Sequence, residues 1–183
     1  MKSRALLIVA LEQELPTTGL ADWTILYTGV GKVNAAINLM AALTEKKPDL
    51  LINYGTAGAI KTGLPPIVEV GQSVQCDMDA RPLGIALGST PFETGTERFT
   101  LSDSPLICET ADRFVTSAPE LACDLVDMEL YALAKIAKRE QIPLKSFKFI
   151  SDNADDSSQQ DWRNSLPDAA SGFLSIQDEL LSL

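Results

Sequence analysis

Short apolar runs, each breaking off abruptly into glycine or acid, alternate along this chain with segments of helical period. Ala5 to Leu11 is an unbroken apolar stretch, the length of a strand covered on both faces. It runs straight into Glu12-Gln13-Glu14 with no small-residue cleavage site, so it reads as a first buried strand rather than a signal peptide. Thr24 to Tyr27 is a shorter strand ending at Gly29-Val30-Gly31. From Lys32 the residues Val33, Ala36, Ile37, Met40, Ala41 and Leu43 recur at helical spacing, until Lys46-Lys47-Pro48 ends the pattern. Leu50 to Asn53 predicts a strand that leads into Gly55-Thr56-Ala57-Gly58. Ile67 to Val74, Pro105 to Cys108 and Ser146 to Ile150 read as further strands, Met128 to Lys138 as a helix, and about Asp168 to Leu181 as a final helix. The polar stretch from Asp77 to Asp103, which contains Gly and Pro, is expected to be a mobile loop. This order indicates a three-layer α/β/α sandwich around a mixed central sheet, with residues 1–183 as one domain.

A chain of 183 residues, 45% of them hydrophobic, buries roughly 70% of its unfolded surface, enough for a core with a cleft in it. With 25 acidic against 15 basic side chains, its charge of −10 repels phosphate backbones and anionic membranes, so neither nucleic acid nor membrane is expected as a partner. There is no histidine, which removes Ser-His-Asp and Cys-His nucleophiles, HExxH zinc sites and histidine bases together. Acid–base chemistry falls to carboxylates, Lys, Tyr or Cys. Cys76, Cys108 and Cys123 are odd in number and lack metal-ligand spacing, so they read as buried thiols of a reducing, cytoplasmic compartment, and neither metal nor cofactor is expected.

In an open α/β sheet a ligand sits beyond the carboxyl ends of the strands. The residues delivered there are Glu12 and Glu14, Gly29-Val30-Gly31-Lys32, Gly55-Thr56-Ala57-Gly58, Asp127-Met128-Glu129 and Ser151-Asp152. Each alone has a plainer reading. Glu12 or Glu14 could be a solvated strand end, Glu129 a counter to a helix dipole, and Asp152 a capping residue. Gly29-Val30-Gly31 lacks the third small residue of a dinucleotide fingerprint, Asn34 standing in its place. It reads as a tight strand-to-helix turn whose N–H groups face an anion or a sugar oxygen. A calcium loop from Asp152 would need Gly at its sixth position and Glu at its twelfth, and has neither.

Taken together, Ala10-Leu11-Glu12-Gln13-Glu14, Gly29 to Ala36, Asn53 to Gly58, Asp112-Arg113-Phe114-Val115, Val126 to Glu129 and Ile150 to Asp155 resemble the nucleoside phosphorylase superfamily. Within it they look most like the methylthioadenosine/S-adenosylhomocysteine nucleosidases. The resemblance implies hydrolysis of the N-glycosidic bond of a purine nucleoside. It assigns Asp152 as the acid at purine N7, and Glu14 as the carboxylate that activates water. Glu129 with Met128 would hold the ribose hydroxyls. Phe114 would stack on the base while the Val115 backbone reads its edge. Thr56, Ala57 and Gly58 would lie near the anomeric carbon, with Ser151 beside the acid. Asp152 must then hold a proton near neutral pH, which burial or a neighbouring carboxylate such as Asp155 could arrange. A small purine nucleoside as ligand and a homo-oligomer, a dimer first, are also implied.

Three residues depart from the resemblance: Lys148 stands in an Arg position, Thr56 in a Ser position, and Ala59 in place of a second Gly. The stretch from Pro91 to Leu106 is short, as if a helix before the Ile107 strand were missing. A phosphorylase needs two or three Arg in glycine-rich loops. Only Lys32 lies near the first two strand ends, which favours hydrolysis. Phosphorolysis, a futalosine hydrolase and a non-catalytic nucleoside sensor are the alternatives.

Overall fold

A computed structural model describes residues 4–117 and 119–183. Among them the chain runs β1 (Ala5–Val9), β2 (Thr24–Tyr27), α1 (Lys32–Glu45), β3 (Leu50–Ala59), β4 (Ile67–Glu69) and β5 (Gln72–Gln75), followed by β6 (Phe99–Thr100) and β7 (Ile107–Thr110). It closes with β8 (Leu125–Asp127), α2 (Leu130–Glu140), β9 (Leu144–Asp152) and α3 (Ser158–Leu181). The strands form one mixed sheet in the order β2-β1-β3-β8-β7-β5-β6, with β9 also against β3 and β4 outside β9.

β1 alternates sides with period two, and both sides are covered. Leu6 and Ile8 join the cluster containing Ala35, Leu39 and Leu43 of α1 and Leu130, Leu133 and Ile136 of α2. Leu7 and Val9 face the other cluster, with Ala169, Phe173 and Leu180 of α3. Helices therefore cover both faces of the sheet, the expected sandwich. Phe173 is the keystone of the second face: Trp23 and Tyr54 meet its ring edge-on at 5.5 and 4.9 Å, and Tyr54 donates its hydroxyl to Ala169 O at 2.6 Å.

β1, β2, β3 and β9 are mutually parallel, so their carboxyl ends open at one edge. β8 meets β3 antiparallel at Gly58 and Ala59, bringing Leu125 and Val126 to the same place.

Several boundaries differ from the sequence reading. Gly55 to Gly58 do not form a turn after β3: they lie inside it, hydrogen-bonded along β9, with a register shift between Ala57 and Gly58. Their small side chains suggested a turn, but β9 along one edge, and β8 at Gly58 on the other, hold the segment extended. Ile67 to Val74 is two strands broken at Val70-Gly71. β8 is three residues long, too short to show a period, and α2 begins at Leu130, with Glu129 as its N-cap. α3 begins ten residues before Asp168 and continues through Pro167, whose ring is exposed, so water can serve the carbonyl left without its N–H partner. The stretch from Asp77 to Asp103 holds one 3-10 turn, Arg81–Leu83, and β6. No α-helix lies between α1 and α2 among the described residues.

Candidate active site

A cavity of about 180 Å³ opens where the strand ends meet. It is lined by all ten residues expected at the site: Glu14, Thr56, Ala57, Gly58, Phe114, Val115, Met128, Glu129, Ser151 and Asp152. Glu12 is exposed and takes no part in the lining, so of the two acids after β1 it is Glu14 that faces inward.

Glu14 is 4% exposed and held by three hydrogen bonds from its own chain. Its Oε2 accepts from the Leu11 N–H at 3.1 Å. Its Oε1 accepts from the Thr56 N–H at 3.0 Å and the Thr56 hydroxyl at 2.6 Å. These bonds exist because β3 stays extended past Gly55 and brings the Thr56 backbone alongside the turn after β1.

Beside β3, β9 ends in Asp152, which also lines the cavity. Its Oδ1 accepts from the Ala154 N–H at 2.9 Å and its Oδ2 from the Ser151 hydroxyl at 2.7 Å. The turn that aims this N–H holds Ala154 at φ 51°, a left-handed conformation unusual for alanine. Ser151 Oγ also lies 3.3 Å from the Ala57 carbonyl. Its proton can therefore swing to that carbonyl and leave the oxygen free to accept one from Asp152. Gly58 makes room for this: a Cβ there would stand 2.8 Å from Asp152 Oδ1 and 3.1 Å from Val126 Cγ2. Asp155 is not the partner imagined for Asp152. Its carboxylate, held below the usual range by the Ser157 hydroxyl and N–H, works at the start of α3.

β8 and the start of α2 supply a third group of charges. Asp127 accepts from Thr110 Oγ1 at 2.6 Å, from the Leu130 N–H at 2.9 Å and from Lys148 Nζ at 2.8 Å. Burial works against the Lys148 ammonium, but Asp127, Cys108 and Glu129 hold it charged, well above the usual lysine range. Glu129 is pushed up to about 8, first by burial and then by the charge of Asp127, against the pull of Lys148 and of the Gly31 N–H. That N–H donates to Glu129 Oε1 at 2.7 Å, and the next, of Lys32, donates to Asp112 Oδ1 at 2.7 Å. The glycine turn before α1 therefore serves carboxylates of its own chain and not an external anion. Gly31 itself sits at φ 92°, where a side chain would be strained.

Phe114 stands at the mouth, 46% exposed, while Val115 is buried. Sequence reading passed over three further lining residues: Asp127, noted only as a helix start, Arg113, and Trp162 from α3. Asp127 was named with Met128 and Glu129 but given no role of its own, and nothing in the spacing of Arg113 or Trp162 gives either a role, since both are brought in by tertiary packing.

The family model described as phosphorylase superfamily matches residues 15–81. A 5'-methylthioadenosine/S-adenosylhomocysteine nucleosidase of Haemophilus influenzae is 30% identical over 178 residues, covering 81% of this chain and 76% of that protein. The chain belongs to the phosphorylase superfamily. Within it, the sequence similarity is to the 5'-methylthioadenosine/S-adenosylhomocysteine nucleosidases, as the strand-end blocks suggested. Solved structures share the fold. A Helicobacter pylori MTAN mutant with 5'-methylthioadenosine in its active site superposes with a TM-score of 0.84 at 20% identity, over 98% of this chain and 100% of the other. The futalosine hydrolase of the same species gives 0.81 at 19% identity, over 96% and 97%.

Proposed function

We propose that this member of the phosphorylase superfamily is a purine nucleosidase, hydrolysing the N-glycosidic bond of a 5'-substituted adenosine of the methylthioadenosine/S-adenosylhomocysteine type. The observation that carries the reading is the convergence of Asp152, Glu14 and Glu129 on one cavity from three separate segments, the end of β9, the turn after β1 and the start of α2. Glycosidic cleavage passes through an oxocarbenium-like state, which needs an acid at the departing base, a base at the water and negative charge near the sugar.

Asp152 donates a proton to N7 so that the purine leaves neutral. Ser151 accommodates either state of that carboxyl by turning its own proton between Asp152 and Ala57 O. Glu14 orients the water and takes its proton. Glu129, with Met128 beside it, holds the ribose hydroxyls, and becomes a better counter-charge as positive charge develops on the ring. Phe114 stacks on the base, the Val115 backbone reads its edge, and Thr56, Ala57 and Gly58 line the approach to the anomeric carbon.

Water is a better match than phosphate for the electrostatics. Four acidic side chains line the cavity, Asp127 among them already paired to Lys148, and Arg113 is the one basic lining side chain among the described residues. Lys32 is committed to Asp77, with Asp112 at 4.0 Å. A phosphate dianion would find one arginine where its charge calls for two or three, whereas a neutral nucleophile needs none. The reading extends to a homodimer in the cytoplasm: Val33 and Ile37 project apolar surface from α1, and the three cysteines are free thiols.

The test is to incubate the purified protein with 5'-methylthioadenosine, S-adenosylhomocysteine, futalosine and inosine, with and without phosphate, and to follow base and sugar. Adenine and free sugar, at a rate indifferent to phosphate, are expected. Hypoxanthine from futalosine alone, a sugar 1-phosphate, or tight nucleoside binding without turnover would each replace the proposal with the corresponding alternative.

A further inference from the structure

Trp162 is the fifth residue of α3 and lines the cavity with Glu14. Its indole Nε1 donates to Thr56 Oγ1 at 2.9 Å, and Thr56 Oγ1 donates to Glu14 Oε1 at 2.6 Å. The direction of this chain is fixed by chemistry. An indole N–H only donates, and a threonine hydroxyl has one proton. With the indole aimed at its oxygen, the hydroxyl is left to give that proton to Glu14.

The consequence is a lone-pair count. A carboxylate offers about four acceptor sites, two on each oxygen. Thr56, through its N–H and its hydroxyl, fills both on Oε1, and the Leu11 N–H fills one on Oε2. One site on Oε2 is left for anything else. We propose that Trp162 is a positioning residue for the base: through Thr56 it holds Glu14 with a single free lone pair, so that the attacking water is accepted in one orientation. The inference rests on the nucleosidase reading and assigns α3, which lies outside the strand-end motifs, a part in the reaction.

Trp162→Phe keeps an aromatic ring against the cavity and removes only the donor. It should lower kcat by about 5- to 10-fold, the worth of one oriented hydrogen bond, while KM stays within about 2-fold. In a Thr56→Val background, where the relay is already cut, the same substitution should cost less than about 2-fold. Loss through KM alone would make Trp162 a mere wall of the pocket, and an equal loss in both backgrounds would sever it from Thr56. Either result overturns the proposal.

A second readout needs no turnover. The chain has two tryptophans, so a ¹⁵N-labelled sample gives two indole N–H signals. Trp23 Nε1 is buried without a hydrogen-bond partner among the described residues. Thr56→Val should shift the Trp162 signal upfield and leave that of Trp23 in place. An unmoved Trp162 signal overturns the relay even if Trp162→Phe fails to fold. A wild-type protein without turnover would defeat the nucleosidase reading by itself, and the relay would then be judged on the indole shift.

Discussion

Glu129 shows how burial among like charges sets a side chain's chemistry. Its carboxyl is raised to about 8 by burial and by Asp127. Below the ordinary glutamate range both the folded and the unfolded chain hold this proton. Between that range and about 8 the folded chain keeps it while the unfolded chain has released it, so the folded state loses stability as pH rises through the window and levels off above it. Urea denaturation midpoints from mildly acidic to mildly alkaline buffer should fall in this direction, and Glu129→Gln should flatten the fall. Lys148 sits beside it under the opposite constraint. Nearly all of its side chain is out of water and its ammonium is paired to Asp127. Lys148→Met would leave Asp127 buried and uncompensated, at a cost of about 3–5 kcal/mol, measurable in the same denaturation experiment. A loss below about 1 kcal/mol would mean that the pair contributes no more than one exposed on the surface.

Among the elements, β3 carries the most information. Its second half is built of small residues because the backbone itself forms part of the cavity wall and Asp152 approaches it closely. Gly58→Ala would push a methyl into Asp152 Oδ1 at 2.8 Å and into the side chain of Val126. We expect about a 10²-fold loss of kcat/KM from the displaced acid. An alanine variant with full activity would show that Asp152 is free to move. α3 makes a separate prediction. Pro167 interrupts its hydrogen-bond ladder on the exposed side. Pro167→Ala should therefore stabilise the protein by about 1–3 kcal/mol in thermal denaturation, with the rate of base release unchanged. The same two elements show where periodicity fails as a guide. Gly55-Thr56-Ala57-Gly58 and Pro167 are local signals for a turn and a break, and both are overridden by neighbours that supply the missing hydrogen bonds or by solvent that removes the need for them.

For the molecule as a whole, the layer order was legible because the longest apolar runs are strands covered on both sides, as in β1 and β3, and the sites were legible because a parallel sheet delivers its strand ends to one edge. Glu14, Glu129 and Asp152 could be found by that rule alone. Asp127 was delivered by the same rule but given no role, while Arg113 and Trp162 could not be found by it, since a loop and a helix face bring them in by packing. The hydrogen-bond partner of each carboxylate also comes from a distant segment, beyond the reach of any local pattern. The account rests on Asp152 delivering a proton to the departing purine. Asp152→Asn keeps the shape of the side chain, and adenine should bind it with nearly unchanged affinity. The direct measurement is single-turnover adenine release from 5'-methylthioadenosine by wild type and by this variant. A rate lower by about 10²–10⁴-fold, roughly 3–5 kcal/mol of barrier, is the expected result. A rate within about 3-fold of wild type, with adenine still bound, would contradict it.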